Sequence, residues 1–127
     1  MVERRREIET YRLNFRPFPA TTSFLGGFRV ENNYGYLKLS SKENDTFFYI
    51  SIVDNSVTSL QASQTYVFNS KWYGYAVIKQ ENLHNMLDLL RNEKPIRMCL
   101  YEGGGAGRVN CIFTDQEPVG EGEKIEN

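Results

Sequence analysis

In Tyr34-Gly35-Tyr36-Leu37-Lys38-Leu39 the residue types alternate with a period of two. A strand there sets Tyr34, Tyr36 and Lys38 on one face and Leu37 and Leu39 on the other. Rings beside an ammonium group on the open face of a sheet suit one kind of chemistry. Aromatic faces stack on unpaired bases, each stack contributing roughly 1–3 kcal/mol with little demand on base identity. Neighbouring cations neutralise phosphates and make binding depend on salt. Alternation enlarges the set. Phe47 and Tyr49 turn one way in the segment from Thr46 to Val53, as do Tyr73 and Tyr75 in the segment from Trp72 to Ile78. Arg12 and Arg16 alternate with Tyr11, Leu13 and Phe15, and Arg29 with Phe28 and Val30.

The candidate interface therefore has Tyr34, Tyr36, Tyr49, Tyr73 and Tyr75 as stacking groups. Arg12, Arg16, Arg29, Lys38, Lys71 and Arg108 are the groups expected to meet phosphates. Fifteen of the seventeen aromatic residues lie between Tyr11 and Tyr75, so one sheet region carries nearly all the stacking capacity. A single strand is the natural partner, because duplex bases are not free to stack.

Other chemistries find little support. His84 is the only histidine, which leaves no His-based metal cluster and no Ser-His or Cys-His pair. Gly103-Gly104-Gly105-Ala106-Gly107-Arg108 lacks the Gly-Lys-Ser/Thr ending of a phosphate loop and sits between two strands rather than before a helix. It reads as a hairpin loop from which Arg108 reaches a phosphate. Cys99 and Cys111 have no CxxC spacing; a turn centred on Gly104-Gly105 would set Cys99 opposite Asn110 and point the two sulfurs to opposite faces. Neither an enzyme nor a cofactor nor a metal is expected.

The elements that must position these residues are mostly strands. Glu9 to Arg16 alternates as a half-buried strand that Pro17 and Pro19 should end. Phe24 to Glu31 reads as a second strand with a bulge at Gly26-Gly27, and Asn32-Asn33 as the turn into a third, Tyr34 to Ser40. Thr46 to Val53, Thr65 to Phe68 and Trp72 to Ile78 follow, and a hairpin of Ile96, Met98 and Leu100 against Val109, Cys111 and Phe113 closes the series. Leu83, Met86, Leu87 and Leu90 recur at i, i+3, i+4 and i+7, so an amphipathic helix is expected over 80–92. The fold class is α+β but mainly β: a strongly curved antiparallel sheet, or open barrel, of about eight short strands. One helix, roughly 10–12 Å across, cannot cover such a sheet, so a homodimer is expected.

Size and charge complete the outline. A chain of 127 residues supports one domain. Residues 1–8 read as a flexible basic N-terminus, 9–114 as the β-rich domain and 115–127 as a disordered acidic tail. Net charge is −1, yet it divides into fourteen Lys and Arg against eleven Asp and Glu up to Thr114, then one Lys against five acids. A stacking body followed by an acidic C-terminus resembles, in organisation alone, single-stranded DNA-binding proteins with an oligonucleotide-binding barrel. Such a tail competes for the basic face or recruits a protein partner. No apolar run suits a signal peptide or membrane span, so a cytoplasmic or nuclear location is expected and a membrane partner is not. The function expected is non-enzymatic binding of single-stranded DNA or RNA with little base specificity. The alternative is a protein–protein interaction or assembly subunit whose exposed aromatics form an oligomer interface.

Overall fold

The computed structural model describes residues 2–25, 28–58, 60, 63–103 and 109–114. The chain is mainly β with one short helix. Its strands are β1 (Val2–Leu25), β2 (Phe28–Ser41), β3 (Thr46–Val53), β4 (Gln64–Phe68), β5 (Lys71–Lys79), β6 (Ile96–Glu102) and β7 (Cys111–Thr114). A short 3-10 turn, Gln80–Asn82, leads into α1 (Leu83–Asn92). The strands form one seven-stranded sheet in the order β4-β5-β3-β2-β1-β6-β7. The sheet is mixed rather than antiparallel, because β3 and β5 run parallel from Thr46↔Trp72 to Val53↔Lys79. The stretch of chain between them, which includes β4, supplies the crossover that parallel pairing requires.

Seven strands stand where eight were expected, since the first three segments merge into two. Pro17 and Pro19 do not end the first strand. β1 runs past them to Leu25, with only a register shift against β2 between Phe15 and Ala20. A proline is tolerated on a strand whose N–H side has no partner, and that is where these two lie. Asn32-Asn33 lies inside β2 rather than at a turn, since the β1–β2 ladder continues to Leu25↔Phe28, and the bulge expected at Gly26-Gly27 lies outside the described residues. Asn32 takes a left-handed φ of 49° within β2 and absorbs an irregularity there instead. At Gly35 β1 comes so close that a Cβ would sit 1.9 Å from the Asn14 carbonyl oxygen, and its φ is +140°.

One main core holds the sheet together, and a smaller buried cluster of Val30 and Val53, with Val57, Tyr75 and Val77 against it, lies apart from it. Leu37 and Leu39 of β2, Phe48 and Ile50 of β3, and Met98 and Leu100 of β6 are buried in a single cluster with Ile8, Trp72, Leu90 and Ile96. β6 therefore packs across from β2 and β3, and the sheet must curl for this to happen. Gly74 marks the tightest approach, where a Cβ on β5 would lie 2.5 Å from Leu100 Cδ2. Asn110 ties the curl together: its Nδ2 donates to the Gln64 carbonyl and its Oδ1 accepts from the Tyr101 N–H, both at 2.9 Å. The apolar stripe of α1 covers the open side, with Leu90 buried and Met86, Leu87 and Leu89 half-buried against the cluster.

The last hairpin differs from expectation by one register step. Met98 pairs with Ile112 and Cys99 with Cys111, so the two cysteines share a face. Ile112 decides this, because the observed register buries it against the core and leaves Phe113 under the Arg5 guanidinium, 5.6 Å from the ring centroid. The expected inward set of Val109, Cys111 and Phe113 is replaced by Ile112. Both thiols are free, Cys99 buried and Cys111 exposed.

The N-terminus also departs from expectation, because residues 2–7 form a ladder with β6. Asp45 anchors it: Arg4 and Arg6 both reach its carboxylate at 3.3 Å, while Ser41 and Thr46 donate to Oδ1 at 3.1 and 3.0 Å. Arg4 in addition lies 5.0 Å over the Trp72 ring. Burial alone would push the Asp45 carboxyl up, but hydrogen bonds from Arg6, Thr46 and Ser41 outweigh it and hold it below the usual carboxylate range. A depressed carboxyl stabilises the fold above its unfolded pKa, and that stabilisation is lost as pH falls through the folded value. Asp45→Asn should therefore unfold at lower denaturant concentration than wild type at pH 7, with the gap narrowing toward pH 3.

Candidate nucleic-acid interface

The sheet face turned away from the core carries the rings. Directly paired residues share a face, and the registers align Lys38 with Tyr49 and Tyr75, and Ser40 with Phe47 and Tyr73. The parallel β3–β5 pairing keeps its register over eight successive pairs, which sets each ring squarely beside its neighbour. Tyr49 stacks on Tyr75 at 5.4 Å between centroids, with planes 13° apart. Phe47 stacks on Tyr73 at 5.5 Å and 25°. Tyr36 lies 6.0 Å from Tyr49 on the β2 side, and Tyr66 meets Tyr75 edge-on at 5.8 Å on the β4 side. The result is an unbroken row, Tyr36–Tyr49–Tyr75–Tyr66, across four adjacent strands.

Lys38 sits over this row, its Nζ 5.1 Å from the Phe47 centroid and 5.6 Å from that of Tyr49. A cation held above two rings is partly desolvated yet still accessible to an anion. Phe47 is the floor of the array at 8% exposure, whereas Tyr36, Tyr49, Tyr73 and Tyr75 are half-buried and Tyr66 is 47% exposed. Burial, then the neighbouring Tyr49, Tyr73 and Tyr66, pushes the Tyr75 phenol up, so it stays neutral and does not repel phosphate. Further along β5 from Tyr75, Val77 lines a cleft of about 260 Å³ with Arg29, Val30, Glu31, Val53, Val57 and Leu60.

The expected site residues divide clearly. Tyr36, Lys38, Tyr49, Tyr73 and Tyr75 come together on this face. Arg12 joins them, exposed and paired with Lys38 across the β1–β2 ladder, and Lys71 stands at the start of β5 opposite Phe68. Tyr34 does not belong to the row. The kink at Gly35 turns it onto Phe15, stacked at 5.5 Å with the ring planes 11° apart, and its hydroxyl donates to Asp54 at 3.3 Å. Arg16 is committed to the carbonyl and side chain of Asn33, and Arg29 pairs with Glu31 at 3.3 Å at the cleft. Arg108 and the acidic tail lie outside the described residues.

Tyr66 and Phe68, paired with Tyr73 and Lys71, lie on the same face and were passed over by the sequence reading. Their signal was the alternation Gln64, Tyr66, Phe68 in a segment already read as a strand; Phe68 is 68% exposed. His84 faces solvent and pairs with Asp88 one helical turn on, at 3.2 Å. Among the described residues no group of three His, Cys, Asp or Glu converges on a metal position, and no helix is long and apolar enough to cross a membrane. No family model matches the sequence, no curated protein matches it, and no solved structure matches it.

Proposed function

We propose that the chain is a non-enzymatic binding protein for single-stranded DNA or RNA, with the ring-bearing face as its platform. The observation that carries this reading is the row of four tyrosines across β2, β3, β5 and β4 with Lys38 above it. Adjacent strands lie about 4.8 Å apart, so each ring is offered at a spacing a flexible single strand can follow. Tyr66 at one end is the most exposed ring of the row, Tyr36 closes the other end, and Tyr49 and Tyr75 hold the middle. Arg12, Lys38 and Lys71 meet the backbone. Stacking makes little demand on base identity, which is why little base specificity follows. The protein works as a homodimer in this account, in a reducing compartment, and its acidic tail competes for the basic face or engages a protein partner.

A second reading draws on β4. Tyr66, Val67 and Phe68 are 47, 39 and 68% exposed on an edge strand, a composition that also suits an interface with another protein. The two are separated by a labelled oligonucleotide of about 20 bases and its duplex, the natural scale of a few stacking modules. Preference for the single strand supports the platform; equal or absent binding by a folded protein supports assembly.

A further inference from the structure

β1 has one edge that no described strand occupies. Residues Val2 to Glu7 pair with β6 on that side, while β2 holds the other side from Ile8 onward. Arg91 of α1 reaches the Tyr11 hydroxyl at 3.4 Å, but beyond it residues 12–19 are exposed. Natural sheets blunt such edges with charge, proline or a covering element. Pro17 and Pro19 do this at one end only. The stretch before them carries Tyr11, Leu13 and Phe15 at 37, 39 and 42% exposure, all on the face shared with Leu39, Leu37 and Gly35 of β2.

We propose that this edge pairs antiparallel with the same edge of a second copy of the chain, with Leu13 on the twofold axis. An isologous contact needs a self-complementary surface, and the residues here meet that condition in one register. The axis relating two antiparallel strands stands perpendicular to the sheet, so facing residues must belong to the same face. A register centred on Arg12 opposes two guanidinium groups, and one centred on Asn14 opposes Arg12 to Arg16. Centring on Tyr11 drives the partner's Phe15 onto Glu7, which β6 already occupies, and centring on Phe15 sets Leu13 and Tyr11 against the partner's Pro17 and Pro19, which cannot donate to a ladder. With Leu13 at the centre, Tyr11 faces the partner's Phe15, Thr10 the partner's Arg16, and Arg12 the partner's Asn14. No like charges meet.

Because the axis is perpendicular to the sheet, both tyrosine rows emerge on one side of a continuous sheet. That consequence rests on the proposed function, whereas the interface does not.

The test needs no nucleic acid. Wild type should sediment as a dimer at about 10 µM, and Leu13→Lys should raise the dissociation constant about tenfold or more while leaving the circular dichroism unchanged. In a Cys111→Ser background, Leu13→Cys treated with oxidised glutathione should give a covalent dimer, since facing Cα atoms lie roughly 4.5–5.5 Å apart, within disulfide reach. Arg12→Cys, off the axis, should cross-link poorly. A monomer at all concentrations up to about 100 µM, a dimer indifferent to Leu13→Lys, or cross-linking from Arg12→Cys equal to that from Leu13→Cys would each overturn the proposal.

Discussion

Tyr36→Ala is expected to weaken binding of a single strand by roughly 1–3 kcal/mol, about 5- to 150-fold, and Tyr66→Ala by a similar amount. Each ring ends the row and touches one neighbour, Tyr49 or Tyr75, so its removal takes away stacking surface while sparing the core. Thermal midpoints should move by only a few degrees, in keeping with the loss of one partly exposed ring contact of about 0.5–1.5 kcal/mol. Tyr49→Ala is a poorer probe, because Tyr49 touches Tyr36, Tyr75 and Lys38 together and its loss disturbs the whole array. Fluorescence anisotropy on a labelled oligonucleotide, with a thermal melt beside it, reads both quantities. If Tyr36→Ala unfolds the domain while wild type binds no strand, the ring serves the core and the platform reading fails.

Gly35→Ala should be the most damaging added methyl group among the described glycines. At +140° the Gly35 φ suits glycine and strains any L side chain. The added Cβ would also overlap the Asn14 carbonyl oxygen at 1.9 Å, a backbone atom that cannot rotate aside. Relief requires β1 to move off β2, so the cost should reach about 3 kcal/mol or more, in the range of severe overpacking and backbone strain. Denaturant unfolding of the variant and wild type gives the difference directly. A loss below about 1 kcal/mol would mean that the two strands separate easily at this point. Tyr34, which the kink turns onto Phe15, should then change its environment without loss of the fold.

The contrast between these two sites shows what the sequence could disclose. Period-two alternation placed Tyr36, Lys38, Tyr49, Tyr73 and Tyr75 on one face because that rule depends only on local strand geometry. The helix was equally plain, since Leu83, Met86, Leu87 and Leu90 repeat at helical spacing and α1 follows them. Which strands neighbour each other is a non-local matter. The parallel contact of β3 with β5, which stacks Tyr49 on Tyr75, left no mark in either segment. Tyr34 was misplaced because one glycine breaks the alternation, and parity counted through Gly35 no longer holds. Pro17 and Pro19 misled for a related reason: their effect depends on whether the edge they occupy has a partner. The register of β7 turned on Ile112 and on the bonds of Asn110, neither of which periodicity weighs.

The most direct test of the account is the affinity of the wild-type protein for a labelled single strand at two salt concentrations. Arg12, Lys38 and Lys71 are the cations the face offers to the backbone. Three phosphate contacts on a single strand give a slope of log affinity against log salt of about −2, so raising salt from 50 to 200 mM should cost about 20-fold. Saturable binding with that slope is the result expected. A folded protein that binds no single strand even at 50 mM salt would contradict the central claim, and the tyrosine row would then have to be read as part of a protein interface.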